Sequence, residues 1–476
     1  MISFGTDGWR AVIAETFTFS NLRLVAQAAA DAINADYNGS GSPEVIIGYD
    51  TRFLSDRFAI EVSRVMAANG IVAWLSRSDV PTPAISYNVK EKGAAAGIVI
   101  TASHNPPRYN GFKLKAAYGG SATPEQSQLV ERALHQMQQE GRGPNVMDYQ
   151  LGLERDLIRR FDPTWVYYQH LSELIDLDAI SDRELKVISD AMYGAGRGAI
   201  PTILSRTRSH VTEIRGSMNP GFGGIHPEPI LRYLNDLVAA VQRDQASVGL
   251  ATDGDADRIG AVDALGNFVD PHHIFALTLR HLVENKGLRG TVVKSISTTA
   301  MIERMCEAYD LPLHETPVGF NHIGDLMVKD DVLIGGEESG GISIKGHIPE
   351  GDGVLMGLLL LEVMAYSDAP LHEIIADLQR QYGPTCYARN DVRLSRQIAK
   401  AEMVQRIQDR VPALLNGQSI LRQSVMDGIK FYMADGSWLL IRPSGTESVL
   451  RIYAEAPTHA DVMALLEAGG QMGALE

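Results

Sequence analysis

The fold class predicted from the sequence is α/β, with parallel or mixed sheets. Three observations carry the prediction. Short β-branched and apolar runs end repeatedly in polar loops rich in Gly, Asp, Ser and Asn. Longer stretches with helical periodicity lie between those runs. The chain, at 476 residues, is long enough to bury more than one core. At roughly 150 residues per domain, this length corresponds to about three domains. Hydrophobic residues make up 45%, which argues against global disorder.

Taken in order, the first strand-like run is 45–49, before Asp50-Thr51-Arg52. The next is 97–100, before Thr101-Ala102-Ser103-His104-Asn105. Then come 187–189 before Asp190, 248–251 before Thr252-Asp253-Gly254-Asp255, 292–295, and 332–334 before Gly335-Gly336-Glu337. Their unbroken apolarity is that of strands covered on both faces. The helix-like stretches are 21–34, 57–69, 125–139, 230–242, 272–284 and 299–309. The stretch 354–366 is the most apolar, but Glu362 interrupts it. It falls short of the about 20 residues that span a bilayer, so it reads as a buried core helix. Near the end the style changes. Runs 428–434 and 437–442 flank Asp435-Gly436, a hairpin signal, and 450–454 and 461–467 read as a strand and a helix. That is a small α+β domain. Gly, Pro and polar interruptions divide the chain into 1–150, 151–262, 263–383 and 384–476, with 140–165 read as a linker.

Charge and cysteine usage narrow the function. There are 43 basic and 58 acidic residues, a net charge of -15, which argues against nucleic-acid binding through overall charge. A small anionic substrate held by local Arg and Lys remains open. The two cysteines, Cys306 and Cys386, lie far apart and make no zinc pattern, which fits a reducing compartment. Residues 1–10 lack the basic and apolar regions of a signal peptide. The expectation is a cytoplasmic protein with no membrane or nucleic-acid partner.

In open α/β sheets, ligands sit outside the carboxyl ends of the strands, so the polar loops are the places to search. In the first, Pro106 and Pro107 stop any helix and leave Ser103 in a rigid loop. A serine hydroxyl is a weak nucleophile that needs activation or prior modification. The same residues also suit an ordinary turn. A hydrolase triad through His104 fits poorly, because neighbours on an extended loop diverge and no Gly-x-Ser-x-Gly elbow is present.

In the second loop, Asp253, Asp255 and Asp257 fall on one side of an extended segment. Oxygen-only ligands suit Mg²⁺ or Ca²⁺ rather than zinc. A calcium EF-hand fails, with Arg258 where its Gly belongs and Ala264 where its Glu belongs. A solvated acidic turn is the plain alternative. Mg²⁺ with an added phosphate oxygen fits best, because three neighbouring carboxylates repel without a cation.

The third loop, Gly335-Gly336-Glu337-Glu338-Ser339-Gly340-Gly341, alternates Glu337 and Ser339 onto one side. A carboxylate with a hydroxyl suits sugar hydroxyls, although a glycine-rich turn explains it equally. The fourth, Arg442-Pro443-Ser444-Gly445-Thr446-Glu447-Ser448, combines an arginine fork, hydroxyls and a glycine nest, a set suited to phosphate. His272-His273 begins a helix-like stretch and reads as a cap region.

The motifs TASHNP, DGDADR, GEESGG and RPSGTES, in that order and at domain-sized spacings, resemble the α-D-phosphohexomutase superfamily. The resemblance runs from Gly5-Thr6-Asp7-Gly8-Trp9-Arg10 to Arg451. It implies four domains around a central cleft: three related mixed-sheet α/β domains and a smaller C-terminal α+β lid domain. It implies a phosphoserine at Ser103, and Mg²⁺ held by Asp253, Asp255, Asp257 and a phosphoserine oxygen. Lys113 becomes a general acid/base, Arg10 and Arg258 active-site arginines, and His104 joins the catalytic set beside the serine. Glu337 and Ser339 would contact the sugar. Arg442, Ser444, Gly445 and Thr446, with Arg451, would hold the distal phosphate.

The implied reaction interconverts glucose 1-phosphate and glucose 6-phosphate by intramolecular phosphotransfer. It passes through a hexose 1,6-bisphosphate, with glucose 1,6-bisphosphate as activator. The implied partner is a hexose phosphate, and the enzyme a monomer or homodimer. The Glu-Glu-Ser form of the third loop and Gly319-Phe320-Asn321-His322-Ile323-Gly324 resemble phosphoglucomutases, ranking glucose before mannose and glucosamine. Two departures stand out. Gly341 occupies a position where some relatives carry His, which makes His347 a candidate second acid/base, and Ser448 stands where many carry Pro. A Mg²⁺-dependent sugar phosphatase, a sugar-phosphate sensor and a glucose 1,6-bisphosphate synthase are the alternatives.

Overall fold

The computed structural model describes residues 2, 8–396, 398–444 and 448–473. The apolar runs pair into four sheets, one per domain. The first holds β1 (Trp9–Val12), β2 (Glu44–Tyr49), β3 (Val72–Ser76), β4 (Ala96–Ile100), β5 (Tyr109–Ala116) and β6 (Ile158–Phe161), in the order β1-β5-β4-β2-β3-β6. The second holds β7 (Lys186–Asp190), β8 (His210–Ile214), β9 (Val248–Thr252), β10 (Ile259–Asp263) and β11 (Phe268–Val269), ordered β11-β10-β9-β7-β8. The third holds β12 (Thr291–Ser295), β13 (Leu313–Thr316), β14 (Val332–Gly336) and β15 (Ile342–Ile344), ordered β13-β12-β14-β15.

These three sheets share one device. In each, parallel strands form the buried centre, and one of them turns back into an antiparallel neighbour. The pairs are β4 with β5, β9 with β10 and β14 with β15. The returning loops are the serine loop, the aspartate loop and the glutamate loop. Each chemical loop is therefore the tight link between two adjacent strands, and its position follows from the sheet register.

The fourth domain is different. Its strands β16 (Cys386–Arg393), β17 (Leu414–Leu415), β18 (Gln418–Ser424), β19 (Ile429–Met433), β20 (Trp438–Pro443) and β21 (Val449–Ala456) run antiparallel in the order β16-β21-β20-β19-β18-β17. Helices Lys400–Gln408 and His459–Gly473 pack with them. The hairpin expected at Asp435-Gly436 is present, with Gly436 at φ 86° and its N–H bonded to the Met433 carbonyl.

The apolar stretch 354–366 forms helix Gly353–Ser367, buried on all sides within the core that the second and third domains share. Leu358, Leu359, Leu360 and Leu361 are fully buried, each contributing about 1.5–3 kcal/mol. Among the described residues no single helix is long and apolar enough to cross a membrane, and this helix bends by 82° into its successor Leu371–Tyr382. Helix Pro271–Glu284 starts as expected, with Asp270 accepting the His273 N–H at 3.0 Å.

Some sequence expectations need correction. The segment read as a linker, 140–165, contains helix Tyr149–Glu154 and strand β6, which pairs with β3. The first sheet therefore runs past 150. The second runs past 262, taking in Asp263 and β11. The stretch 230–242 is a short 3₁₀ turn, Leu231–Tyr233, followed by helix Asn235–Asp244.

One segment joins three domains. Residues 345–353 follow β15. Glu350 accepts from Lys115 Nζ of the first domain at 2.6 Å, with both side chains buried. His347 bonds His170 of the second domain at 2.9 Å and Asp352 at 3.0 Å, and Asp352 accepts from Tyr167 OH at 2.8 Å. The Gly353 N–H donates to the Ala256 carbonyl inside the aspartate loop, at 3.0 Å.

Candidate active site

The serine loop leaves β4 in a conformation that L residues rarely adopt, with Ser103 at φ 51°. The Ser103 N–H donates to Thr101 Oγ1 at 2.9 Å, and Thr101 Oγ1 donates to Asp50 Oδ2 at 2.6 Å. Ser103 is 1% exposed. Its Oγ donates to Asp253 Oδ2 at 2.8 Å and lies 3.3 Å from His104 Nδ1. Burial, then the charges of Arg258, Arg10, Arg389 and Lys113, push the His104 imidazole well below its usual value and keep it neutral.

The aspartate loop closes on itself, with Asp253 Oδ1 accepting the backbone N–H groups of Asp257 and Arg258 at 3.1 and 3.2 Å. Asp255 Oδ2 accepts from Thr82 Oγ1 at 2.6 Å and Lys113 Nζ at 2.9 Å, and Asp257 Oδ2 accepts from the same ammonium at 2.9 Å. One oxygen from each aspartate lies within 4.8 Å of the others. Burial and then the charges of Asp257 and Asp255 push the Asp253 carboxyl well above the carboxylate range. The set fits a hard divalent cation. Three buried carboxylates lie together, the Lys113 ammonium bridges two of them, the ligand atoms are all oxygens, and Asp257 Oδ1 is buried without a hydrogen bond.

The two loops touch directly. A Cβ at Gly254 would lie 2.4 Å from the Ser103 carbonyl oxygen, so only glycine permits this approach. Gly254→Ala is expected to push the serine away from the aspartates and to lower kcat about 10²-fold with the fold retained, as read by steady-state kinetics and circular dichroism.

The other expected residues that the structure describes lie on their own strands and loops. Arg10, on β1, donates to Asn105 Oδ1 at 2.9 Å, and Arg258 Nε lies 3.8 Å from Asp257 Oδ1. Glu337 follows β14. Its Oε1 accepts the Gly319 N–H at 2.7 Å, and Ser339 Oγ lies 3.5 Å from its Oε2. Burial, then the neighbouring Glu338, raises the Glu337 carboxyl to about 7. Arg442 sits on β20 with its Nε on Asp427 Oδ2 at 2.6 Å, opposite Arg451 on β21. The Ser444 N–H bonds the Val449 carbonyl at 2.8 Å. Gly445 and Thr446 lie outside the described residues.

His347 does not join the cleft groups. Both of its ring nitrogens are used, by His170 and Asp352, in the link between the second and third domains. Thr82 is a site residue that the loop search missed. It holds Asp255 through both its backbone N–H (2.9 Å) and its hydroxyl. It opens helix Thr82–Lys92, beyond a strand, β3, that is not among the runs read from the sequence, so the loop search did not reach it.

Comparison with known proteins agrees with this arrangement. Families described as phosphoglucomutase/phosphomannomutase domains I, II and III match residues 1–141, 166–266 and 270–382, and the C-terminal domain family matches 392–468. A phosphoglucosamine mutase of Frankia alni is 31% identical, covering 96% of this chain and 94% of its own. A phosphoglucomutase of Komagataeibacter xylinus is 28% identical, covering 96% and 87%. A crystal structure from Thermus thermophilus, assigned as a phosphomannomutase, superposes with a TM-score of 0.86 at 33% identity, covering 99% of this chain and 98% of that one. The order of the four domains and the chemistry of their loops thus have one common explanation: this chain belongs to the phosphoglucomutase/phosphomannomutase family of α-D-phosphohexomutases, enzymes that transfer phosphate intramolecularly.

Proposed function

We propose that the chain interconverts glucose 1-phosphate and glucose 6-phosphate through a phosphoserine at Ser103 and glucose 1,6-bisphosphate. The observation that carries the reading is Ser103 Oγ lying 2.8 Å from Asp253 within a buried carboxylate cluster. Asp253, Asp255 and Asp257, with a phosphoserine oxygen, would hold Mg²⁺, which supplies charge neutralisation on the transferred phosphoryl group. Arg10 and Arg258 line that centre. His104, neutral and beside the serine, and Lys113 are the groups placed to move the proton of the sugar hydroxyl. Glu337 and Ser339 orient the sugar. Arg442, Ser444, Gly445, Thr446 and Arg451 take the phosphate that is not reacting, in either orientation of the bisphosphate. Both cysteines are free thiols, which suits a cytoplasmic enzyme.

The glucose preference rests on the Glu337-Glu338-Ser339 form of the sugar loop. A glucosamine preference is the second reading, favoured by the phosphoglucosamine mutases among the relatives. Parallel assays with glucose 1-phosphate, mannose 1-phosphate and glucosamine 1-phosphate, with Mg²⁺ and a trace of the matching bisphosphate, decide between them. Faster glucosamine turnover would overturn the glucose reading. Net release of phosphate in place of isomerisation would make the protein a phosphatase.

Glu337 gives a pH signature. Its folded value, about 7, lies above the ordinary 4.5, so folding favours its protonated form. Its contribution to stability is intact below pH 4.5 and lost as pH rises to about 7. Glu337→Gln is expected to remove that loss, gaining up to about 3 kcal/mol at pH 8. It should also raise KM, because a sugar-contacting carboxylate is gone. Thermal melts from pH 4 to pH 8 check the first effect; a variant whose melting falls with pH as steeply as the wild type would refute it.

A further inference from the structure

The loop Asp50-Thr51-Arg52 follows β2, and the reaction set out above assigns it no role. Arg52 is 3% exposed, and its guanidinium is committed to the serine loop. Nη2 donates to the carbonyls of Ser103 (2.5 Å) and Asn105 (2.7 Å), and Nη1 to those of Pro106 (2.9 Å) and Tyr109 (3.0 Å). Nε forms an ion pair with Asp50 Oδ2 at 3.0 Å. The ring of Phe222, from the second domain, lies 5.0 Å from the guanidinium carbon. Asp50 also accepts the Arg52 N–H and the Ser55 hydroxyl, each at 2.9 Å, and the Thr101 hydroxyl.

Four carbonyls from one loop thus converge on one cation. A buried carbonyl left without a donor costs about 1–3 kcal/mol. Ser103 sits at φ 51°, so its backbone needs holding from outside. A planar fork with five donors at fixed angles meets four carbonyls at once, whereas a lysine ammonium is a point with three. We infer that Arg52 is a positioning residue for phosphoryl transfer: it fixes the backbone of residues 103–109 so that Ser103 Oγ stays against Asp253, and Asp50 holds Arg52 in place. The inference rests on the reading of Ser103 as the phosphoryl carrier.

The test uses the full chain with Arg52→Lys and Arg52→Ala, with Mg²⁺ and the hexose phosphate that the wild type turns over fastest. Two quantities are read, steady-state kinetics and the rate at which glucose 1,6-bisphosphate phosphorylates Ser103, followed by intact mass. In that half-reaction the Ser103 Oγ–P bond forms, a sugar O–P bond breaks, and the serine proton ends on the freed sugar hydroxyl. Both variants should lose about 10²-fold in kcat and in the half-reaction, with KM little changed, because the sugar and distal-phosphate groups are untouched. Millimolar guanidinium should restore part of the rate to Arg52→Ala and none to Arg52→Lys, whose side chain fills the space. Should Arg52→Ala fail to fold, Arg52→Lys, checked by circular dichroism, decides by its split between kcat and KM. A folded Arg52→Lys with wild-type kcat overturns the inference. So does a loss of rate that only tracks the lost folded fraction and ignores guanidinium. A wild type that phosphorylates Ser103 but isomerises no sugar would sink the mutase reading instead, leaving Arg52 judged by the half-reaction.

Discussion

Ser103→Ala is expected to slow isomerisation on the order of 10⁴-fold or more while the chain stays folded. The hydroxyl is the only part of the side chain removed, and it is the atom that would carry the phosphoryl group. The structural cost is the hydrogen bond to Asp253, about 1–3 kcal/mol with that carboxylate buried, and the longer contact with His104. Intact mass should show no uptake of phosphate from glucose 1,6-bisphosphate, and a thermal melt should show a single small shift. A variant that keeps a substantial fraction of wild-type turnover would remove Ser103 as the nucleophile and return the serine loop to an ordinary turn.

Lys113→Met should have the second largest effect, and it acts on stability as well as rate. Lys113 is 1% exposed and bridges Asp255 and Asp257, both at 2.9 Å. Taking the ammonium away leaves three buried carboxylates facing one another. Breaking a buried pair by removing one partner costs about 3–5 kcal/mol. The melting temperature should fall, and added Mg²⁺ should raise it more in the variant than in the wild type, because the cation takes over the lost charge. Turnover should fall about 10²–10⁴-fold if Lys113 also moves a proton. An equal Mg²⁺ effect on both proteins, with unchanged turnover, would refute both roles.

The sequence made the chemistry easier to see than the scaffold. The serine, aspartate and glutamate loops are legible because each follows a buried strand whose unbroken apolarity marks it, and because chemistry concentrates rare residue types there. Helices Phe19–Asp36, Ser55–Ala68 and Pro124–Glu140 were likewise written in their periodicity. Strand β6 was not, since Ile158-Arg159-Arg160-Phe161 is half polar and gains its place only by pairing with β3 at the sheet edge. Helix Thr164–Leu174 was hidden for a similar reason, its buried face being little more than Tyr167 and Leu171. His347 becomes a candidate only because Gly341 stands where some relatives carry His, and the contacts of His170 and Asp352 reveal it as a strut. Arg52 stands in a polar loop that the sequence marks, but its work is done through backbone carbonyls, and Thr82 serves Asp255, a partner more than 150 residues away, neither of which a local pattern encodes.

The junction formed by residues 345–353 bears on when the enzyme comes alive during its own synthesis. A nascent chain that has emerged only to residue 344 already carries Ser103, the three aspartates and Glu337. It still lacks Glu350 for Lys115, Asp352 for Tyr167 and the Gly353 N–H for Ala256. The first two domains can fold as they leave the ribosome. The aspartate loop, however, is braced by a segment made some 90 residues after it, so a product ending at 344 would hold Ser103, the three aspartates and Glu337 and still be short of this backing as well as of the whole C-terminal domain.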